Sequence, residues 1–96
     1  MQKDIETLRS RLDILDIARE YVRELRRSGN SWAALCPFHD EKTPSFSLDH
    51  QRGLYYCFGC HKGGDAIGFY MEIEKMDFKQ AVESLCERVG LPRPSW

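Results

Sequence analysis

Apolar residues recur with helical spacing at both ends of the chain and lose that spacing in the middle. Ile5, Leu8 and Leu12 predict a short helix around Asp4–Arg11. Ile14, Ile17, Ala18 and Tyr21 follow the i, i+3, i+4, i+7 rule of a second helix. Asp13 stands before that run as an N-cap, and Asp16 falls in the first turn, where a carboxylate meets the positive end of the helix dipole. Leu12 and Ile17 have the spacing of a hydrophobic staple. Residues 1–22 are therefore read as helical.

Residues 23–62 change period. Ser28-Gly29-Asn30 is a turn signal between Val22–Arg27 and Ser31–Leu35. Ser45-Phe46-Ser47-Leu48 alternates with period two, and Leu54-Tyr55-Tyr56-Cys57-Phe58 is rich in strand formers. The polar stretch Asp49–Gly53 between them reads as a hairpin loop. About four short antiparallel strands are expected.

Helical spacing returns over residues 63–90. Gly63-Gly64 breaks the chain, Asp65 is a candidate N-cap, and Ala66, Phe69, Tyr70 and Ile73 form a stripe. Gly68 inside that stripe costs about 1 kcal/mol relative to alanine, which suggests close packing there. Asp77 and Gln80 make a capping box ahead of Phe78, Ala81, Val82, Leu85 and Val89. Gly90 stands at the helix C′ position. Leu91-Pro92-Arg93-Pro94 cannot extend the helix, so residues 91–96 are read as the start of a linker. The expected class is α+β: a small antiparallel sheet flanked by N-terminal and C-terminal helices, in one domain.

Length narrows the function classes. A chain of 96 residues is one small domain, too short for a self-contained large enzyme, and such cores often need a staple. No apolar run approaches the ~18–20 residues of a membrane span. The start, Met1-Gln2-Lys3-Asp4-Ile5-Glu6, has no apolar signal core, so a reduced, cytoplasmic setting is expected.

The cysteines then sharpen the picture. Cys36-Pro37-Phe38-His39 is a CxxH pair and Cys57-Phe58-Gly59-Cys60 a CxxC pair. Each short turn delivers two ligands to one ion, and two such turns complete a tetrahedral zinc site. The candidate ligands are Cys36, His39, Cys57 and Cys60. Cys86, beside Leu85 on the last helix, reads as a small buried hydrophobe. His61, next to Cys60, reads as an exposed polar residue and a candidate phosphate contact. A closed set of four protein ligands is the structural kind of zinc site; a catalytic zinc keeps a position open. A deaminase-like reading has His39 and Glu41 in H-x-E spacing but lacks the matching P-C-x-x-C, since Tyr56 precedes Cys57.

The run from Cys36 to Phe46 and the run Tyr56-Cys57-Phe58-Gly59-Cys60-His61-Lys62-Gly63-Gly64-Asp65 resemble the N-terminal zinc-binding domain of bacterial DnaG-type DNA primases. The resemblance extends through Leu12–Ile17 and Phe78–Gly90 and covers nearly the whole chain. It implies a Cys-His-Cys-Cys zinc ribbon on the four candidate ligands. It further implies a role in engaging single-stranded DNA template and choosing where an RNA primer starts, in the cytoplasm at a replication fork. The nucleotidyl-transfer chemistry would lie in a separate RNA polymerase domain of the same or another primase chain. The replicative helicase would be met only through a further domain. Two positions depart from the family: His61 stands where glycine is usual, and Asn30 where a basic residue is frequent.

Charge localises the nucleic-acid expectation. The net charge is −1 overall, yet residues 23–62 hold six basic residues (Arg23, Arg26, Arg27, Lys42, Arg52, Lys62) against four acidic ones (Glu24, Asp40, Glu41, Asp49), a net of +2. Single strands bind where cations track phosphates and aromatic faces stack on bases. Arg26, Arg27, Lys42, Arg52 and Lys62 are the candidate phosphate contacts. Trp32 and Tyr55 are the expected exposed aromatics, since one ribbon face must cover the helices. A zinc-stabilised protein–protein docking module is the competing reading. Trp96 has no context in the sequence.

Overall fold

The structure, a computed structural model, describes residues 2–40 and 42–94, residues 2 and 3 by backbone alone. Glu41 of the H-x-E spacing and Trp96 lie outside the described residues. The elements run α1 (Gln2–Arg11), α2 (Ile14–Ala18), β1 (Arg26–Ser28), β2 (Ser31–Ala34), β3 (Phe46–Asp49), β4 (Leu54–Cys57), β5 (Gly63–Asp65), α3 (Ala66–Glu74) and α4 (Phe78–Val89). All strand pairs are antiparallel, in the order β1-β2-β3-β4-β5. Among the described residues no helix is long and apolar enough to cross a membrane.

The predicted capping residues start the helices. Asp13 accepts hydrogen bonds from the amides of Leu15 and Asp16 at 3.0 and 3.2 Å. Asp65 accepts from the Gly68 amide at 2.9 Å. Asp77 and Gln80 form the reciprocal box, with bonds of 2.8 and 3.2 Å. Gly90 ends α4 at φ +76°. Asp77→Ala is expected to lower stability by about 1 kcal/mol while zinc content stays at one per chain; thermal melting of the zinc-loaded chain measures it.

The sheet has five strands where about four were expected. The fifth is the Gly63-Gly64 stretch, read from sequence as a break, which pairs with Tyr56 and Tyr55. Glycine is required there: a Cβ on Gly63 would lie 2.8 Å from Tyr56 Cδ1 and 3.0 Å from the Tyr55 carbonyl oxygen. Gly68 is different from expectation, since a Cβ there meets only the Asp65 carboxylate at an ordinary 3.5 Å. The second N-terminal helix is also shorter than its apolar period, ending at Ala18. Tyr21 and Val22 still pack inward from the turns that follow.

One sheet face is covered by helices and the other is open. Trp32, Leu48 and Tyr55 stand opposite one another and share the inner face, as do Ala34, Phe46 and Cys57. The core beneath is one cluster that includes Leu8, Ile14, Ile17, Phe46, Leu48, Tyr55, Ile67, Phe69, Val82 and Leu85. Its centre is aromatic, with the Phe38, Phe46, Tyr55 and Phe69 rings 5.3–6.4 Å apart. Phe78, expected in the last helix's apolar stripe, is instead exposed at the start of α4. Cys86 is buried, as its place on that stripe predicts, and burial pushes its thiol up. Leu91 packs against the core, its amide bonded to the Cys86 carbonyl at 2.8 Å, and Pro94 is buried.

Candidate metal centre and sheet face

Two turns bring the four predicted ligands together. In the first, the Phe38 amide donates to Cys36 Sγ at 3.4 Å, and the Phe38 ring anchors the turn in the aromatic core. In the second, the Cys60 amide donates to Cys57 Sγ at 3.4 Å and the His61 amide to the Cys57 carbonyl at 2.8 Å. The Cys57 amide closes that turn onto the Lys62 carbonyl at 2.8 Å.

The donor atoms of Cys36, His39, Cys57 and Cys60 all lie within 4.8 Å of one another. A zinc ion with Zn–S of about 2.3 Å and Zn–N of about 2.0–2.1 Å sets tetrahedral edges of about 3.8 Å between sulfurs and about 3.5 Å from sulfur to nitrogen. Cys36 Sγ and Cys60 Sγ are 3.8 Å apart, and Cys57 Sγ is 3.5 Å from His39 Nε2. The site is thus shaped to the ion. His39 Nδ1 lies 3.1 Å from the Asp40 carbonyl oxygen, which only accepts, so Nδ1 carries the proton and Nε2 keeps its lone pair for the metal. Cys86 is buried on α4 outside this group, and His61 is not part of it.

The thiols differ in how readily they ionise. Burial pushes Cys36 up to about 12, helped by its sulfur neighbours. Burial acts in the same direction on Cys57, but hydrogen bonds, chiefly from the Ser45 hydroxyl and the Cys60 amide, outweigh it and hold that thiol below its ordinary value. Three thiolates this close repel one another, so only a cation among them lets all three ionise.

The candidate nucleic-acid residues do not form one patch. Tyr55, expected exposed, is 4% exposed and belongs to the aromatic core, where burial pushes its phenol up to about 12. The correction follows from strand parity: Cys57 must face the metal on the helix side, and Tyr55 lies two residues earlier on the same face. Leu54, Tyr56 and Phe58 therefore stand on the open side, Phe58 at 67% exposure. Trp32 is half-buried on the inner face, with the Arg19 guanidinium 5.4 Å above its ring. Arg27 caps its own turn by donating to the Gly29 carbonyl at 3.3 Å. Lys62 pairs with Glu72 at 3.1 Å and Arg52 with Asp49 at 3.8 Å.

Arg26 and Lys42 line a cleft of about 310 Å³ with Arg23, Glu24, Ala33, Ala34, Leu35 and Pro44, a lining with three cations and one carboxylate. None of these three cations forms an ion pair among the described residues. Arg23 was not singled out by the sequence, because only the turn after α2 brings it to the edge of β2. His61 sits in the left-handed region at φ +64°, with Nδ1 2.9 Å from the Tyr56 hydroxyl.

Comparison with known proteins agrees with this geometry. The family model described as CHC2 zinc finger matches residues 1–95. A DNA primase of Borreliella burgdorferi is 46% identical over 87 residues, covering 91% of this chain and 16% of that protein. A DNA primase of Pseudomonas putida is 46% identical over 93 residues, covering 97% of this chain and 14% of that protein. The chain thus spans only about one-sixth of the length of such relatives. The crystal structure of the Aquifex aeolicus primase, comprising zinc-binding and RNA polymerase domains, superposes with a TM-score of 0.85 at 39% identity, over 91% of this chain and 21% of that one.

Proposed function

Because the chain belongs to the CHC2 zinc finger family, we propose that it serves as the zinc-binding domain of a bacterial DNA primase, engaging single-stranded template and helping to set where a primer starts. The zinc is structural, since four protein ligands close its shell. Primer synthesis itself belongs to an RNA polymerase domain, in the same or another primase chain. The replicative helicase is reached only through other parts of that protein. The setting is the cytoplasm, at the replication fork.

One observation carries this reading: the open sheet face joins cations to aromatics. Arg26, Ala33, Ser47, Tyr56 and Gly63 stand in one row across five strands. Small side chains at the middle of the row leave a shallow track. The Arg23, Arg26 and Lys42 cleft lies at one end and the Tyr56 and Phe58 rings at the other. Three inter-strand steps of about 4.8 Å put these ends about 14 Å apart. Phosphates suit the first end and bases the second. Binding by the chain alone is weak and salt-sensitive, and tethering to a polymerase domain raises the effective concentration.

The test is titration of zinc-loaded chain with short labelled single strands across a salt series. Reversing Arg26 and Lys42 to glutamate is expected to weaken binding at low salt and to flatten the log–log salt slope by about 0.7 per lost phosphate contact. Binding that ignores both salt and these substitutions would refute the reading. The exposed Leu54 and Phe58 favour a second one, a docking face for the polymerase domain. On that reading Phe58→Ala weakens association with that domain and leaves DNA binding unchanged.

A further inference from the structure

His61 occupies a backbone conformation that glycine adopts without strain and other residues rarely do. A side chain kept in that region invites a functional reason. Its Nδ1 is bonded to the Tyr56 hydroxyl at 2.9 Å, and its Nε2 has no hydrogen bond among the described residues. Both side chains are exposed on the open sheet face.

They border a groove of about 710 Å³ lined by Ser47, Leu54, Tyr56, Phe58, His61 and Gly63, among others. The Phe58 and Tyr56 rings meet edge to face at 71° with centroids 4.9 Å apart. A planar base stacked on the largely free face of Phe58 turns its edge toward Tyr56 and His61. The hydrogen-bonded pair always offers that edge one donor and one acceptor. If Tyr56 donates to Nδ1, His61 Nε2 carries the outward proton and the phenol oxygen accepts. If Nδ1 donates to Tyr56, the roles exchange.

We propose that Tyr56 and His61 form a base-reading pair, a specificity determinant for one nucleotide of a single-stranded nucleic acid held across the sheet. The inference rests on the template-binding reading above. The three cations without ion pairs in the Arg23, Arg26 and Lys42 cleft make the same face complementary to a polyanion. Gly63 is what admits the Tyr56 ring to this position, since any side chain there collides with it.

The experiment compares zinc-loaded wild type, His61→Gly and Tyr56→Phe against labelled single strands of one length that differ only in base, at low salt. Wild type is expected to favour one base over the least favoured by about tenfold. His61→Gly is expected to narrow that spread to about twofold, while retaining zinc and affinity for the least favoured strand. Tyr56→Phe keeps the stacking ring and loses the hydroxyl, so it narrows the spread in the same way without touching the metal turn. Wild-type binding with no base preference overturns the proposal and leaves the template-binding reading standing. An undiminished preference in both variants also overturns it. No binding of any strand by wild type overturns the template-binding reading itself.

Discussion

Removing zinc is expected to unfold the ribbon and release the core with it. Structural zinc contributes about 10–16 kcal/mol of apparent binding free energy in zinc-finger peptides at neutral pH. The net stability of a whole small domain is only about 5–15 kcal/mol, so a contribution of that size decides whether this one stays folded. The metal and the core are also mechanically joined here. Cys36 and Cys57 belong to the same buried cluster as Phe46, Leu48 and Phe69, and Phe38 reaches from the first metal turn into the aromatic centre. Chelation followed by circular dichroism should therefore show sheet and tertiary signals lost in one transition, with one zinc released per chain. His39→Ala should lose the metal and behave as the chelated chain. Cys86→Ser should keep it, because Cys86 lies outside the donor group. Zinc retained without His39, or lost with Cys86→Ser, would break the assignment of ligands.

Acid should act on the same site. The Cys57 thiol is held below its ordinary value in the fold by hydrogen bonds from the Ser45 hydroxyl and the Cys60 amide. A folded value below the unfolded one stabilises the fold while the thiol is ionised, and that contribution is lost as pH falls through the folded value. Protons also compete with zinc for every ligand, so metal loss and unfolding should coincide on acid titration.

The ligands were legible because their chemistry is local. Two residues of spacing decide whether a turn can chelate, and CxxH and CxxC say so without any fold. The helix caps at Asp13, Asp65 and Asp77 were legible for the same reason, since each is read within four residues. Features that depend on pairing across the chain were less so. The fifth strand exists because Gly63 lets β5 approach the Tyr56 ring, which no run of strand-forming residues announces. The inner face of β4 was a matter of parity. Leu54, Tyr56 and Phe58 look like a core stripe, yet the ligand Cys57 pins the alternate set, Tyr55 included, to the helix side. That signal was present in the sequence once Cys57 was accepted as a ligand. The Arg23, Arg26 and Lys42 cleft had no local signal, because Arg23 and Lys42 lie nineteen residues apart and come together only when the segment entering β1 and the segment before β3 fold against β2.

Phe69→Ala is expected to be among the most damaging changes away from the metal. Phe69 is fully buried on α3, and its ring lies 5.7 Å from Phe38, 6.0 Å from Phe46, 5.3 Å from Tyr55 and 6.2 Å from Tyr21. It thus joins α3 to the first metal turn through Phe38, to β3 and β4 through Phe46 and Tyr55, and to the end of the N-terminal helical segment through Tyr21. Truncating a buried phenylalanine costs about 3–5 kcal/mol through lost burial and the cavity left behind. The closed packing of four rings around it leaves little room for collapse, which favours the upper part of that range. Because zinc binding and folding are coupled, the loss should appear as weaker metal affinity. At 1.4 kcal/mol per factor of ten, it amounts to about a hundredfold or more. Competition with a chelator of known affinity measures it. Phe58→Ala is the matched control, since that ring is 67% exposed and its loss should change stability by less than about 0.5 kcal/mol. Equal effects of the two substitutions on zinc affinity would mean that α3 does not support the metal turns through this ring. The aromatic centre would then be separable from the site that it is inferred to brace.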